Sequence, residues 1–313
     1  MPAHLSPGRT RATRSRFLRL TGWLLLALAA VAVWQLQLVP LAWQIAGLQL
    51  GAPTTGTPGL DLSTHRVGIE ARPITGLDDN TSGLTYHPGS GTLFAAINRP
   101  ASVAEISTSG ELLRLMPLEG VRDPEGIAHV QDDLFVVADE RENRLHWVRI
   151  GPEATRLSVA GTPSLELPAS PLRNQGIEGV SWDHAGQRLF VSQEIWPRKV
   201  WVIEGLSTLG QPDFRLSIDD WHPAGGGMVP LGDYSSLTLH ETSGQLLLVS
   251  KLSGMVLAYA ADGTLAGTLP LWPGFRGLTR RVPQAEGIAL DPAGTVYLVS
   301  EPNLFYRFDP GQP

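Results

Sequence analysis

A two-strand pattern that occurs five times is the feature that most constrains the fold of this 313-residue chain. Each copy opens with a small residue and an aliphatic one, passes through a turn, and ends in an apolar strand that stops at a polar residue. The small residues recur at spacings of 43, 53, 57 and 51 positions. Repeats of this length, each with room for four strands, are typical of the blades of a β-propeller. The small residues are Gly83, Gly126, Gly179, Ser236 and Gly287.

The two ends of the repeated region complement each other. After the apolar segment 304–308, the fifth copy lacks the residues for a fourth strand, whereas residues 66–74 precede the first copy and have the pattern of a strand. If that strand joined the last blade, it would close the ring and remove the exposed sheet edges. We therefore predict an all-β fold, a five-bladed β-propeller over residues 66–313. A six-bladed ring is the alternative, if part of residues 205–232 forms a further blade.

The N-terminal region has a different composition. Residues 1–19 contain five arginines, and the first acidic residue of the chain is Asp61. Residues 20–45 are mostly apolar, and a membrane-spanning helix needs about 20 apolar residues. Arginine-rich flanks stay in the cytoplasm, so residues 1–19 are predicted to be cytoplasmic and the rest exported.

The sequence therefore predicts a single transmembrane helix in the cell inner membrane, a flexible linker over residues 46–65, and a propeller on the periplasmic side. The membrane is then one partner of the chain. A cleaved signal peptide is the alternative for residues 20–45, because residues 27–32 offer small-residue cleavage sites. Both alternatives export the propeller.

Composition excludes several kinds of site. The chain has no cysteine, which excludes disulfides, thiolate metal sites and cysteine nucleophiles. The residues after position 60 carry 19 basic and 30 acidic side chains, a balance that repels nucleic acid and attracts cations. The glycines at 225–227 lack the lysine and the strand–helix context of a phosphate loop, so no organic cofactor is predicted.

Equivalent positions in successive blades meet near the axis of a propeller, and two such rings of polar residues follow from the repeats. The first ring, before each small residue, consists of Ser82, Glu125, Glu178, Ser235 and Glu286. The second ring, at the end of each second strand, consists of Asn98, Glu140, Glu194, Lys251 and Glu301. Just outside the first ring lie Asp79, Asn80, Asp123, Asn174 and Asp233.

Six carboxylates at one end of a channel repel one another and need protons, cationic partners or a metal. A set of oxygen ligands suits Ca²⁺, or as an alternative Mg²⁺, far better than Zn²⁺. The six glutamates are therefore predicted to bind a metal or a ligand, with Lys251 neutralising one carboxylate. The structural alternative is that the Glu-Gly pairs cap backbone N–H groups of neighbouring blades. Histidines at the end of the first strand, such as His87, His129 and His240, are interpreted as turn residues.

Several short motifs, in this order, resemble the SdiA-regulated (YjiK-like) family of bacterial propellers over residues 66–309. The resemblance implies a propeller with a central calcium-binding site, fits an N-terminal membrane segment, and implies no particular reaction. Similar Glu-Gly-Ile turns occur in esterase-like phytase propellers, and calcium-dependent lactonase propellers use a central glutamate. The motifs are residues 82–84, 123–127, 177–180, 233–237 and 285–288, with the strand ends 192–194 and 300–301.

The sequence is compatible with three functions. The leading hypothesis is a binding propeller with a divalent cation at the channel mouth and a small molecule or protein as its ligand. A metal-dependent hydrolase of a lactone or a phosphoester is the first alternative, in which the metal polarises the scissile group. The second alternative is a purely structural platform for protein interactions.

Overall fold

The computed structural model of this chain divides into two compact units, Met1–Leu50 and Gly51–Pro313. The first unit contains the helix α1 (Arg9–Gln35). The structure describes residues 9–35, 42, 46, 59–168, 176–194, 198–223 and 231–311.

The sequence predicts a transmembrane helix over residues 20–45, and of these the structure describes residues 20–35 and 42. The helix α1 begins at Arg9, inside the basic segment. Within the described part of the chain, no helix is long and apolar enough to cross a membrane. The cellular location of the second unit stays a prediction.

The second unit is the predicted all-β propeller, built from five blades. It begins with β1 (Arg66–Pro73). The first blade consists of β2 (Thr81–His87), β3 (Thr92–Ile97), β4 (Ser102–Ile106) and β5 (Leu112–Glu119). The second blade consists of β6 (Pro124–Gln131), β7 (Leu134–Asp139), β8 (Arg144–Arg149) and, after the short strand β9 (Leu157–Ser158), β10 (Ser164–Glu166). The strand β9 pairs in parallel with β5 and so widens the first blade.

The remaining three blades follow the same plan. The third consists of β11 (Ile177–Asp183), β12 (Arg188–Gln193), β13 (Lys199–Glu204) and β14 (Ser217–Asp220). The fourth consists of β15 (Ser236–His240), β16 (Gln245–Ser250), β17 (Met255–Tyr259) and β18 (Leu265–Pro270). The fifth consists of β19 (Gln284–Leu290), β20 (Val296–Glu301), β21 (Leu304–Asp309) and β1.

The ring closes as the sequence predicts. The strand β1 lies antiparallel to β21, with Arg66 opposite Asp309 and Pro73 opposite Leu304. The six-bladed alternative is wrong for the described residues, because residues 205–232 supply only β14 and a 3-10 turn, Leu206–Thr208. The strand β14 completes the third blade, so it cannot begin another one.

The core consists of five hydrophobic clusters, each between two successive blades. For example, Val249 of the fourth blade and Ile288 of the fifth share one cluster, and both side chains are fully buried. Each sheet is therefore apolar on both faces, which explains the unbroken apolar runs of the second strands.

Residues 59–65 of the linker predicted over residues 46–65 pack on the propeller. Leu62 is fully buried in the cluster between the fourth and fifth blades. The side chain of Gln245 exchanges two hydrogen bonds with the backbone of Leu60, and Nε2 of His65 lies 2.9 Å from the carbonyl oxygen of Gly294. The packed domain therefore begins before Arg66, and residues 47–58 lie outside the described part.

The glycines of the repeat are explained by the close approach of the innermost strands. A β-carbon on Gly126 would lie 2.2 Å from the carbonyl oxygen of Glu178 in the next blade. One on Gly83 would lie 2.4 Å from the carbonyl oxygen of Glu125. Contacts this short force a backbone shift, so only glycine fits at these two positions without strain.

The substitution Gly126→Ala is therefore expected to destabilise the propeller by about 1–3 kcal/mol, the usual cost of overpacking a core. Thermal and urea unfolding would measure it. Gly151→Ala is the matched control, because a β-carbon on Gly151 meets nothing within 4 Å. Equal stability of the two variants would contradict the close-approach explanation.

Candidate functional site

The two polar rings meet at one end of the channel because of how the first strands are built. In the four blades that carry the repeat glycine, the pairing of the first and second strands shifts register at this glycine. Such a bulge re-aims the neighbouring side chain, here the residue before the glycine. The fourth blade, with Ser236 in place of glycine, pairs without a shift.

Lys251 lies among the buried glutamates. Its Nζ atom is 2.8 Å from Oε1 of Glu194 and 3.0 Å from Oε1 of Glu286. Glu178, also buried, interacts electrostatically with Lys251. The sequence assigned one carboxylate to this ammonium, whereas the structure gives it ion pairs with two. We call Lys251, Glu178, Glu194 and Glu286 the Lys251 cluster.

The charges in the Lys251 cluster are strongly coupled. Burial raises the pKa of Glu286 to about 8, although Lys251 opposes the rise. Burial also raises the pKa of Glu178 well above its usual range, and the charge of Glu194 adds to this. Burial alone would lower the pKa of Lys251, but the three glutamates outweigh it, so the net shift is upward. The lysine is therefore charged at neutral pH, and Glu178 and Glu286 hold protons more tightly than exposed glutamates do.

A second group of oxygens lies at the same mouth, and we call it the Asp123 cluster: Asn98, Asp123, Glu125 and Glu140. One carboxylate oxygen from each of its three acids lies within 4.8 Å of the others. Asn98 Nδ2 donates a hydrogen bond of 2.9 Å to Oε1 of Glu125. Oδ1 of Asn98 and Oδ1 of Asp123 are both buried without a hydrogen-bond partner.

Burial also raises the pKa values of the three acids in the Asp123 cluster. It raises the pKa of Glu125 to about 7, against hydrogen bonds from Ser82 and Asn98, while the charges of Glu140 and Asp123 add to the rise. Burial raises the pKa of Asp123 and of Glu140 as well. The cluster therefore favours a proton or a metal cation.

Glu301 and four supporting residues lie at the edge of this arrangement. Glu301 accepts a hydrogen bond from the side chain of Gln284, and burial raises its pKa. Asp233 is buried and accepts hydrogen bonds from the Ser250 hydroxyl and the Leu252 N–H, so it caps the turn after β16. Ser235, Asp79 and Asn80 also make structural contacts. Ser235 donates a hydrogen bond of 2.8 Å to the Ala285 carbonyl. The N–H of Asn80 donates a hydrogen bond of 2.7 Å to the carboxylate of Asp79.

The histidines that the sequence assigns to turns make short contacts within those turns. Nδ1 of His87 lies 2.7 Å from the Ser90 hydroxyl, and Nδ1 of His240 lies 2.7 Å from the Ser243 hydroxyl, as expected of turn residues. Asn174 lies outside the described residues. Sequence reasoning missed Gln284, whose only signal was its place at the opening of the fifth repeat.

A model of the SdiA-regulated family matches residues 59–309. The chain belongs to the SdiA-regulated family. The match covers both clusters of this SdiA-regulated propeller and includes the packed residues 59–65 before β1.

Solved structures with the same kind of fold include a luciferin-regenerating enzyme, with 13% identity, a TM-score of 0.50, and coverage of 79% of this chain and 97% of that one. A glutaminyl cyclase from Myxococcus xanthus is 17% identical, with a TM-score of 0.48 and coverage of 79% and 97%. A gluconolactonase from Xanthomonas campestris is 16% identical, with a TM-score of 0.46 and coverage of 80% and 92%. At these identities, the similarity of the SdiA-regulated propeller to such enzymes extends to the fold alone.

Proposed function

We propose that this SdiA-regulated propeller binds Ca²⁺ in the Asp123 cluster and uses the ion to hold a small molecule or a protein group at the channel mouth. One observation carries the proposal: Oδ1 of Asp123 and Oδ1 of Asn98 are buried without partners beside two further carboxylates. A buried polar atom without a partner costs about 1–3 kcal/mol. A cation bound there would satisfy both oxygens.

The donor set favours calcium. The Asp123 cluster offers three carboxylates and one amide oxygen, with no nitrogen or sulfur ligand, which is the chemistry of a hard cation. Ca²⁺ accepts irregular coordination by six to eight oxygens, whereas Mg²⁺ demands near-ideal octahedral geometry. The set leaves positions for water or for an oxygen atom of the ligand.

The position of Lys251 favours a cation site on only one side of the channel mouth. Its ammonium group already contacts Glu194 and Glu286, so it takes the place that a second cation would occupy. A fixed positive charge also repels any further cation nearby. The proposed calcium therefore lies off the axis, toward the first and second blades.

Calcium is expected to raise the melting temperature of the metal-free protein, and to raise it more at pH 8 than at pH 5. The folded-state pKa of Glu125, about 7, exceeds its unfolded value of about 4.3. Its protonation therefore stabilises the fold fully below about pH 4.3, and this stabilisation is lost as the pH rises through 7. A cation competes with that proton, so it binds better at pH 8. At 100 times its Kd, it should add about 2.7 kcal/mol to the free energy of unfolding.

Scanning calorimetry with and without millimolar Ca²⁺ measures this effect. The Glu125→Gln variant should lose most of the gain, because it removes a charge and keeps the shape. Glu153→Gln, at an exposed site, is the matched control and should respond like the wild type. The absence of a calcium response at pH 8, or an equal response in Glu125→Gln, would refute the proposed site.

Metal-dependent hydrolysis is the second candidate, and the pKa of about 8 at Glu286 favours it. A carboxyl group that titrates near neutral pH suits general acid–base catalysis. Turnover of lactones and phosphomonoesters, measured in the same calcium titration, separates the two functions. Calcium binding without turnover of either ester class favours the binding function.

A further inference from the structure

A different group of metal-binding side chains lies in the turn between β7 and β8 of the second blade. Asp139 ends β7, Glu142 lies in the turn, and His146 lies in β8. One ligand atom from each of these side chains lies within 4.8 Å of the others. Nothing in the proposed calcium site uses them.

His146 is the observation that points to a ligand. Only 6% of this residue is exposed, and its Nε2 atom is buried without a hydrogen-bond partner. Burial lowers its pKa, so the imidazole is neutral at neutral pH. A neutral imidazole is the form that binds metal ions. An unpaired nitrogen in a buried site is unfavourable, and coordination to a metal would satisfy it.

Asp139 is held in a fixed orientation. Its carboxylate accepts backbone N–H bonds from Arg122 at 2.9 Å, Arg141 at 3.1 Å and Glu142 at 3.3 Å. An ionised carboxylate has about four acceptor positions, so one is left after these three bonds. Partners of this kind orient the ligands of metal sites in general.

Two arginines lie near Glu142, but neither holds it closely. Nε of Arg122 is 3.4 Å away and Nε of Arg144 is 3.8 Å away, both longer than an ordinary hydrogen bond. Arg144 makes its short contact, of 2.8 Å, with Glu166 instead. The carboxylate of Glu142 can therefore turn toward a metal ion at little cost.

We propose that Asp139, Glu142 and His146 bind a transition-metal ion of the Zn²⁺ type. One nitrogen and two carboxylate ligands match zinc chemistry, with water in the remaining position. Glu140 lies within the same turn, so the ion would fix the backbone that presents Glu140 to the Asp123 cluster. This site differs from the proposed calcium site in its residues and in the ion that it prefers.

The test uses the full chain without an affinity tag, stripped of metal by a chelator and free of calcium. Zn²⁺ titration by calorimetry should show one ion bound per chain and a higher melting temperature. Co²⁺ in its place should give visible absorption bands of nitrogen and oxygen coordination. Glu142→Gln should weaken Zn²⁺ binding more than about 100-fold, because loss of even a supporting residue costs 10- to 100-fold.

Three controls decide the outcome. His146→Ala should also lose Zn²⁺ binding; if this variant does not fold, the Glu142→Gln result alone is decisive. Glu125→Gln should keep Zn²⁺ binding, and so should Glu153→Gln. The proposal is overturned if the wild type binds no Zn²⁺, if Glu142→Gln binds it equally well, or if Glu125→Gln abolishes binding. The last result would place the ion in the Asp123 cluster.

Discussion

A chain that lacks residues 66–74 is expected not to reach the native propeller. The deletion removes β1, which supplies the outer strand of the fifth blade, and Ile74, which is fully buried. Loss of Ile74 alone is worth about 1.5–3 kcal/mol of burial. Each lost backbone hydrogen bond adds about 1 kcal/mol. The total exceeds about 5 kcal/mol, which is comparable to the whole stability of a typical domain.

Circular dichroism and proteolysis of the purified protein would show the loss. Deletion of residues 1–50 is the control, because that segment forms a separate compact unit, and it should leave the melting temperature of the propeller unchanged. The substitution Ile74→Ala is a milder change at the same place and is expected to lower the free energy of unfolding by about 2–5 kcal/mol. If the 66–74 deletion melted like the parent, another strand would have to close the ring.

The substitution Lys251→Met is expected to destabilise the propeller by about 3–5 kcal/mol at pH 8, the usual cost of breaking a buried ion pair by removing one partner. The change leaves Glu194 and Glu286 without their nearest positive charge. At pH 5 the cost should be smaller. The folded-state pKa of Glu286, about 8, means that this group already carries a proton there.

Lys199→Met is the matched control, because Lys199 is the other lysine of the chain. It pairs with Asp220 at 2.8 Å in a half-exposed position, and exposed pairs contribute only about 0–1 kcal/mol. Denaturant unfolding of both variants at pH 5 and pH 8 tests the prediction. A cost at Lys251 that does not grow with pH would show that packing, rather than charge, accounts for the loss.

The propeller could be predicted from the sequence because each blade repeats the same pattern. The glycine, the polar turn and the apolar second strand recur where each blade begins, and closure followed from the strand pattern of residues 66–74. The pairing of β9 with β5 could not be predicted, since β9 has only two residues and pairs with a different blade. The burial of Leu62 was missed for a similar reason: a single apolar residue in a polar segment has no periodicity.

The sequence predicted that the polar side chains converge, but not which of them pair. Equivalent positions in a ring must converge, so the glutamates could be assigned to one channel mouth. Which carboxylate Lys251 meets depends on side-chain distances, and a repeat alignment does not contain them. The hydrogen bonds of the Asp139 carboxylate were missed because its partners are backbone N–H groups, which a repeat alignment does not show. The predicted membrane span is not confirmed, because no helix among the described residues is long and apolar enough to cross a membrane.

Closure by β1 and β21 also determines the order in which the ring can be completed. The strands of the middle blades pair with close neighbours in sequence, whereas β1 must wait for β21, more than 200 residues later. At the usual synthesis rate of 5–20 residues per second, that delay is roughly 10–50 s. Throughout this time β1 is an unpaired strand that other chains can join. Completion of the fifth blade is therefore the step at which folding competes with aggregation.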